Sequence, residues 1–167
     1  MWLRLAAMAA LSLAPCFSIA QQRQTMSLDD AFARVLPAPL PSIFSRRYAV
    51  IPATRATEGP EPWGEVGQSR TVVLADGGRI REELVAVEPP RRFAYRLSDI
   101  SGPMRPLAAS VDGEWRFESV GTGTRVTWSW TIHPASRAAS YALPAFGRIW
   151  RGYARQALEE VERLLVG

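Results

Sequence analysis

The C-terminal part of the chain carries the clearest pattern of apolar and polar positions. Across residues 143–165, apolar residues recur at steps of three and one, which is the spacing of one face of an α-helix. Arginine and glutamate side chains occupy the opposite face, and Pro144 suits a first helical turn. Because so wide an apolar face needs a partner in water, we expect one long C-terminal helix packed against the rest of the protein.

The middle of the chain alternates apolar and polar residues with the period of two that is typical of β-strands. The alternating runs are residues 67–74, 79–87, 92–97, 111–117 and 125–133. Tight-turn sequences such as Asp76-Gly77-Gly78 separate them. One face of the predicted sheet is aromatic and branched and the other is polar, as expected for an antiparallel sheet that is solvated on one side. The apolar faces of the sheet and of the helix are therefore predicted to pack together.

Two shorter elements are predicted before this sheet. Residues 31–36 alternate well enough for a first strand, and residues 41–48 suit a short helix with Ile43 and Phe44 directed inward. Residues 52–62 read as a polar, proline-bearing loop. The predicted fold is thus α+β: a curved antiparallel sheet wraps around a long C-terminal helix, with a short helix after the first strand.

Residues 1–25 are open to two interpretations. Arg4, the apolar run after it and Ser18-Ile19-Ala20 are typical of a secretory signal peptide with its cleavage site, and the run is too short to span a bilayer. Alternatively, translation starts at Met26 and the preceding residues are a misassigned extension. The first interpretation predicts a secreted or periplasmic protein and the second a cytoplasmic one. In both, residues 1–25 lie outside a single domain at residues 29–167, for which no stable membrane insertion is expected.

The amino-acid composition limits the partners, reactions and cofactors that can be expected. All 20 basic residues are arginine, the net charge is +4, and the arginines are interleaved with 16 acidic residues, so no phosphate-tracking stripe forms and nucleic acid is not an expected partner. The absence of lysine excludes Schiff-base chemistry. The lone Cys16 and the lone His133 exclude an intrachain disulfide and a cysteine or histidine metal cluster. No nucleotide-binding loop or nucleophile elbow is present, so we predict neither a metal nor a cofactor.

Three segments carry a resemblance to a known family: residues 64–70, 88–95 and 121–128. Together with the order of elements, they resemble the START-related polyketide cyclase/dehydrase superfamily (SRPBCC), which has the helix-grip fold of the birch pollen allergen. The resemblance spans about residue 29 to the end of the chain and rests on strand and turn signatures. It implies a deep apolar cavity between sheet and helix that binds lipids, polyketides, sterols or other hydrophobic ligands, and in some members catalyses cyclisation or dehydration.

The predicted cavity wall consists of large side chains on the concave sheet face and of helix residues opposite them. The candidate ligand-binding residues are Tyr95, Trp115, Phe117, Trp128, Trp130, Trp150, Tyr153, Ala154 and Ala157. Large apolar residues on a core face also simply fill space, so packing is the alternative for each of them. Gly102, Met104 and Arg105 are candidates for a lid over the cavity, with an ordinary hairpin loop as the alternative.

Two side chains are weak candidates for proton transfer. Glu82 shares a strand face with Ile80 and Leu84, and an apolar cavity would raise the pKa of its carboxyl group; the alternative is a solvated strand residue. His133 ends the last strand on the polar face without a partner motif, so we interpret it as structural or exposed.

These patterns give three hypotheses for function, and none of them determines the oligomeric state. The preferred one is the binding of a small hydrophobic ligand, lipid or polyketide-like, without catalysis. The second is a cyclase/dehydratase-type lyase or aromatase that uses the Glu82 carboxylate or His133. The third is a protein-interaction module with a packed core.

Overall fold

The computed structural model describes residues 11–13, 16–18 and 26–166. The strands are β1 (Leu11–Leu13), β2 (Cys16–Ser18), β3 (Thr54–Glu58), β4 (Ser69–Leu74), β5 (Arg79–Glu88), β6 (Arg92–Ser98), β7 (Ala108–Val120) and β8 (Gly123–Pro134). The helices are α1 (Leu28–Val35), α2 (Leu40–Ile43) and α3 (Arg137–Val166), with a 3-10 turn at Gly102–Met104. Strands β3 to β8 form an antiparallel sheet in which each strand pairs with its neighbours in sequence. The predicted α+β architecture, an antiparallel sheet with a long C-terminal helix, is confirmed.

The alternation of side chains decides which sheet face is covered. In β8 every second residue from Thr124 to Pro134 is buried, and β7 buries Val111, Trp115 and Phe117 in the same rhythm. These side chains form one core with the apolar face of α3. Among the described residues, none of the helices combines the length and the apolar character needed to cross a membrane.

The prediction of a first strand at residues 31–36 is wrong, because this segment is helix α1. The hydroxyl of Ser27 accepts a hydrogen bond from the backbone N–H of Asp30 at 3.1 Å, and two aspartates occupy the first turn; both features stabilise a helix N-terminus. The buried residues Ala31, Phe32 and Val35 follow helical rather than strand spacing. The short helix that was expected at residues 41–48 is present as α2, but it begins at Leu40 and ends at Ile43.

Two element boundaries also differ from the expectation. The predicted loop at residues 52–62 contains β3, whose polar side chains suit the edge of a sheet and whose backbone pairs with β4. Helix α3 begins at Arg137, because the Ser136 hydroxyl accepts from the N–H of Ala139 at 3.1 Å and so caps the helix. Pro144 therefore lies inside the helix and not in its first turn.

Part of the N-terminal segment extends the sheet. The backbones of β1 and β2 both pair antiparallel with β8, which differs from the expectation that residues 1–25 lie outside the fold. The physical reason is that β8 would otherwise present a row of unpaired N–H and C=O groups at the sheet edge. The proposed cleavage site after Ala20 and the charged segment around Arg4 lie outside the described residues, so the two interpretations of this segment stay predictions.

Candidate functional site

A cavity of about 70 Å³ lies between the concave sheet face, α2 and α3. Five of the predicted ligand-binding residues line it: Tyr95, Trp115, Trp128, Trp130 and Tyr153. The other four are buried in the surrounding core without lining the cavity: Phe117, Trp150, Ala154 and Ala157. The structure therefore brings the predicted set together around one void, with some members at its wall and some behind it.

Aromatic rings fill most of the space between sheet and helix. Trp128 lies at the centre of this cluster, with its ring centroid 5.2 Å from those of both Trp115 and Trp150 and 5.3 Å from those of Phe44 and Trp130. Ligand pockets commonly have volumes of roughly 300–1,000 Å³. The void is smaller than that because the rings stack on one another across the sheet–helix interface.

The phenol of Tyr95 joins two tryptophans of this aromatic cluster through hydrogen bonds. Its hydroxyl oxygen accepts hydrogen bonds from the indole Nε1 of Trp128 and of Trp130, both at 2.7 Å. The ring reaches these partners by lying over Gly113, where an added Cβ would be 2.1 Å from the Tyr95 Cζ. Glycine at position 113 is thus what allows the tyrosine to cross the neighbouring strand.

Two other features of the cluster concern α3. Nε1 of Trp150 is a buried donor without a hydrogen-bond partner among the described residues. The surface above Gly152 is occupied by Tyr48, whose hydroxyl oxygen would be 2.0 Å from a Cβ at that position. A small residue on α3 therefore accommodates a loop side chain there and does not leave a void.

A buried ion pair interrupts the apolar wall. Nε of Arg70 donates to Oε2 of Glu82 at 2.5 Å, and the two side chains are only 8% and 6% exposed. They are direct cross-strand partners in β4 and β5, and both line the cavity. The alternative of a solvated Glu82 is wrong, because the strand register turns this side chain to the concave face.

The loop between β3 and β4 holds the arginine in place. The Trp63 ring covers the guanidinium group, with Cζ of Arg70 4.0 Å from the ring centroid, a distance suited to a cation–π interaction. Oε1 of Gln68 accepts from the N–H groups of Gly64 and Glu65 at 2.8 and 2.9 Å, while its Nε2 donates to the Pro62 carbonyl. These bonds fold the loop on itself and present Trp63 to Arg70.

Burial controls the ionisation of the cavity groups. It raises the pKa of the Glu82 carboxyl above its ordinary value, and the charge and hydrogen bond of Arg70 offset this only in part. Burial also raises the pKa of the Tyr95 and Tyr153 phenols, so both are neutral at physiological pH. The cavity therefore holds neutral phenols beside one carboxylate whose proton is retained to higher pH than in water.

His133 lies away from the cavity. It is 44% exposed on the outer sheet face, where its Nε2 is 2.7 Å from Oδ2 of Asp112. The same aspartate accepts from Nε of Arg96 at 2.8 Å. This arrangement makes a surface charge cluster, so the structure gives His133 no contact with the Glu82 site.

The three lid candidates separate in the structure. Met104 is buried and lines the cavity, whereas Gly102 and Arg105 are exposed. Gly102 has a φ of 78° and packs against the β4–β5 turn, where a Cβ would be 3.2 Å from the Gly78 Cα. Of the three, only the Met104 side chain could gate the cavity directly.

Arg70 is the site residue that the sequence analysis did not single out. It shares the inward face of β4 with Val72 and Leu74, and it lies opposite Glu82 across the Asp76-Gly77-Gly78 turn. Opposite charges at facing positions of a predicted hairpin are the signal that could have identified the pair. Within the described residues, no group of three or more His, Cys, Asp or Glu side chains is arranged to hold a metal ion.

The model of the family described as "Polyketide cyclase / dehydrase and lipid transport" matches residues 27–166. The chain belongs to this family. The match covers α1, the sheet from β3 to β8, and α3, and it confirms the superfamily that the strand and turn signatures indicated. No curated protein matches the chain.

Solved structures share the fold of this chain. The major latex-like protein 151 of Panax ginseng is 15% identical, with a TM-score of 0.66 over 95% of this chain and 99% of that one. The structure titled Ara h 8.0201 is 11% identical, with a TM-score of 0.63 and the same coverage of both chains. Protein XoxI from Bacillus cereus is 15% identical, with a TM-score of 0.62 over 95% and 96%. At these identities the similarity shows the helix-grip fold alone.

Proposed function

We propose that this member of the polyketide cyclase/dehydrase and lipid transport family binds a small hydrophobic ligand between its sheet and α3. The observation that carries the proposal is the cavity, whose walls are aromatic and aliphatic and on which Arg70, Glu82 and Tyr95 converge. A mostly apolar wall with a few convergent polar groups is typical of small-molecule sites. The family description supports a lipid-like or polyketide-like ligand.

The size of the void limits the ligand. A volume of about 70 Å³ is close to half that of a cavity of roughly 150 Å³ that admits benzene. A longer ligand therefore requires lining side chains to move. We expect Leu36 and Leu40, which are half-buried at the cavity wall, and the flexible Met104 side chain to move.

The proposal is tested by titrating the full chain with primary alcohols of increasing length, beginning with butan-1-ol. Binding should shift the indole N–H signals of Trp115, Trp128 and Trp130 in NMR spectra, because these rings line the cavity. The alcohol length at which binding ceases measures how far the cavity opens. If none of these alcohols shifts the indole signals, the ligand-binding function is wrong.

A matched pair of variants locates the binding. Val72 lines the cavity, whereas Val73 is similarly buried but lies on the opposite strand face and does not line it. Val72→Leu adds one methylene group to the wall and should weaken binding, while Val73→Leu should leave it unchanged. Equal affinities for the two variants would place the ligand elsewhere.

A cyclase/dehydratase-type enzyme is the second candidate, favoured by the position of Glu82. This buried carboxyl group lies in the same cavity, and burial raises its pKa above the ordinary value, which is the direction of shift that general acid–base catalysis by a carboxyl group uses. Glu82→Gln should then abolish turnover of a polyketide-like substrate in a protein that still folds. Turnover that persists in this variant would rule out Glu82 as the proton-transfer group.

A further inference from the structure

Two segments of the chain, residues 36–57 and 135–158, contain arginine but neither aspartate nor glutamate. Together they hold seven of the 20 basic residues and none of the 16 acidic ones. The rest of the chain is therefore acidic overall, and the interleaving of the two charge signs does not extend to these segments. Any surface that they form together is positively charged.

The fold brings the two segments together on the outer side of α3. The phenol of Tyr48 lies on Gly152, and Nε2 of Gln156 donates to the backbone carbonyl of Arg46 at 3.1 Å. The guanidinium of Arg46 pairs with Glu160 at 3.0 Å, which is beyond the acid-free part of the helix. These contacts hold the loop between α2 and β3 against α3.

This loop ends in a tight turn that presents apolar side chains to solvent. The N–H of Tyr48 donates to the Ile51 carbonyl and the N–H of Ile51 to the Tyr48 carbonyl, both at 2.9 Å. At the tip, Ala49 has a φ of 50°, a conformation that is uncommon for residues other than glycine. Val50 is 53% exposed and Tyr48 37% exposed. The turn therefore offers a valine and a tyrosine to an apolar phase.

Exposed arginines surround the turn. Arg148 and Arg155 lie one helical turn to either side of the Gly152 position that Tyr48 covers. Arg151 and Arg47 are also exposed, and Nε of Arg47 donates to the Ala49 carbonyl at 2.7 Å. We call this surface the docking face; it consists of Arg47, Tyr48, Val50, Arg148, Arg151 and Arg155.

The combination of charge and apolar tip determines which partner suits the docking face. Arginines near an anionic membrane are attracted to the lipid phosphates, and their apolar stems can lie along the acyl boundary while the charged ends stay in the head-group layer. Tyrosine is common at this depth because one end of its ring is apolar and the other polar. A nucleic acid would satisfy the arginines through its phosphates, but it would give the exposed Val50 no apolar environment.

We propose that the docking face binds the protein to the surface of an anionic lipid membrane, with Tyr48 and Val50 entering the interface and the arginines contacting lipid phosphates. The inference goes beyond the proposed ligand-binding function and does not depend on it. The docking face is nevertheless next to the cavity, since Phe44, Ile51 and Pro52, which flank the turn in the chain, line it.

The experiment is sedimentation of the full chain with two kinds of large vesicles, one of phosphatidylcholine alone and one of equal parts phosphatidylcholine and phosphatidylglycerol. The protein should bind the anionic vesicles and bind the neutral ones much more weakly. Binding should weaken strongly between about 0.1 M and about 1 M salt, where the Debye length falls from about 10 Å to about 3 Å. Equal binding to both kinds of vesicle would overturn the proposal.

Charge variants locate the contact. Each arginine near an anionic surface contributes roughly fivefold to binding, so Arg148→Gln/Arg155→Gln should lower the affinity for anionic vesicles by at least about tenfold. The matched control is Arg81→Gln/Arg116→Gln, which removes the same charge from exposed positions on the outer sheet face. It should bind nearly as the wild type does. Equal losses in the two double variants would mean that net charge and not the docking face causes binding.

A second pair of variants tests the apolar tip. Val50→Ser should weaken vesicle binding by at least about threefold, because methyl groups no longer leave water. Val85→Ser, at a position in β5 that is 44% exposed, should leave it unchanged. If Val50→Ser binds vesicles like the wild type and a single-stranded DNA oligonucleotide displaces the protein from them, the face serves a nucleic acid and the membrane proposal is wrong. Vesicle binding by a protein that takes up none of the alcohols would support the docking face while refuting the ligand-binding function.

Discussion

Gly113 offers the sharpest test of how the aromatic core is held together. Replacing it by alanine would place a Cβ 2.1 Å from Cζ and 2.5 Å from the hydroxyl oxygen of Tyr95. Real Cβ atoms do not approach other heavy atoms that closely, and the hydroxyl group of this buried ring is hydrogen-bonded to two buried indoles. We therefore expect Gly113→Ala to displace the Tyr95 ring and to break both of its bonds to Trp128 and Trp130.

The loss in free energy of unfolding expected for Gly113→Ala has two causes. Overpacking a close-packed interior costs about 1–3 kcal/mol. Each buried indole N–H that loses its acceptor costs about 1–3 kcal/mol more, and two such donors depend on the Tyr95 hydroxyl. The free energy of unfolding should thus fall by about 3 kcal/mol or more, a large part of the roughly 5–15 kcal/mol of a typical domain.

The assay is urea unfolding followed by tryptophan fluorescence, with Gly64→Ala as the matched control. An added Cβ at position 64 would be 3.6 Å from its nearest neighbour, Cδ2 of Leu36, an ordinary contact. The control should therefore change the free energy of unfolding by no more than about 0.5 kcal/mol. A Gly113→Ala protein as stable as the control would refute the reasoning.

A double-mutant cycle separates the two contributions. Tyr95→Phe keeps the ring over Gly113 but removes the shared acceptor, so it should destabilise the wild type by about 1–3 kcal/mol or more. In the Gly113→Ala background the same change should cost less, because the hydrogen bonds are already lost. Strict additivity would mean that the alanine does not move the ring.

Three further predictions concern caps and titrating groups, each measured by urea unfolding. Ser27→Ala should destabilise the protein by about 0.5–2 kcal/mol, because the hydroxyl accepts from the Asp30 N–H, whereas Ser119→Ala on the exposed end of β7 should change little. Partial burial raises the pKa of Asp112, but hydrogen bonds from Arg96 and His133 lower it overall, so the stabilising effect of the carboxylate is present above the unfolded pKa of about 3.9 and is lost as the pH falls through the folded pKa. Asp112→Asn should therefore lower the free energy of unfolding by under about 1 kcal/mol near neutral pH and by less in acid. An equal loss at the two pH values would contradict this prediction. Because burial raises the pKa of Glu82, the contribution of its carboxyl group to stability is full below the unfolded pKa of about 4.3 and is lost as the pH rises through the folded pKa. The stability of the wild type relative to Glu82→Gln should therefore fall with rising pH. If the stabilities of the two proteins depended on pH in the same way, Arg70 would compensate fully for the burial of Glu82.

Periodicity in the sequence was enough to predict the helix, the five later strands and the inward faces of the last three of these strands. Trp115 and Trp128 were expected on the concave face because side chains alternate along a strand, and a face rich in aromatic residues has to be covered. This local rule does not depend on how far apart the partners are in the chain. It failed at residues 31–36, where the alternation is short and the Ser27 cap and the helical spacing of buried residues outweighed it.

The features that define the candidate site arise from contacts between distant positions. Arg70 and Glu82 form a pair only because the β4–β5 register sets them opposite each other. Whether the tryptophans leave a void depends on ring positions that Gly113 and Tyr95 determine jointly from neighbouring strands. In the same way, β8 takes partners from β1 and β2 because it is the edge of the finished sheet. The sequence by itself thus determined the aromatic faces of the last three strands and the apolar face of the helix, while only the tertiary structure decided which side chains touch, because contact depends on strand register and close packing and not on periodicity.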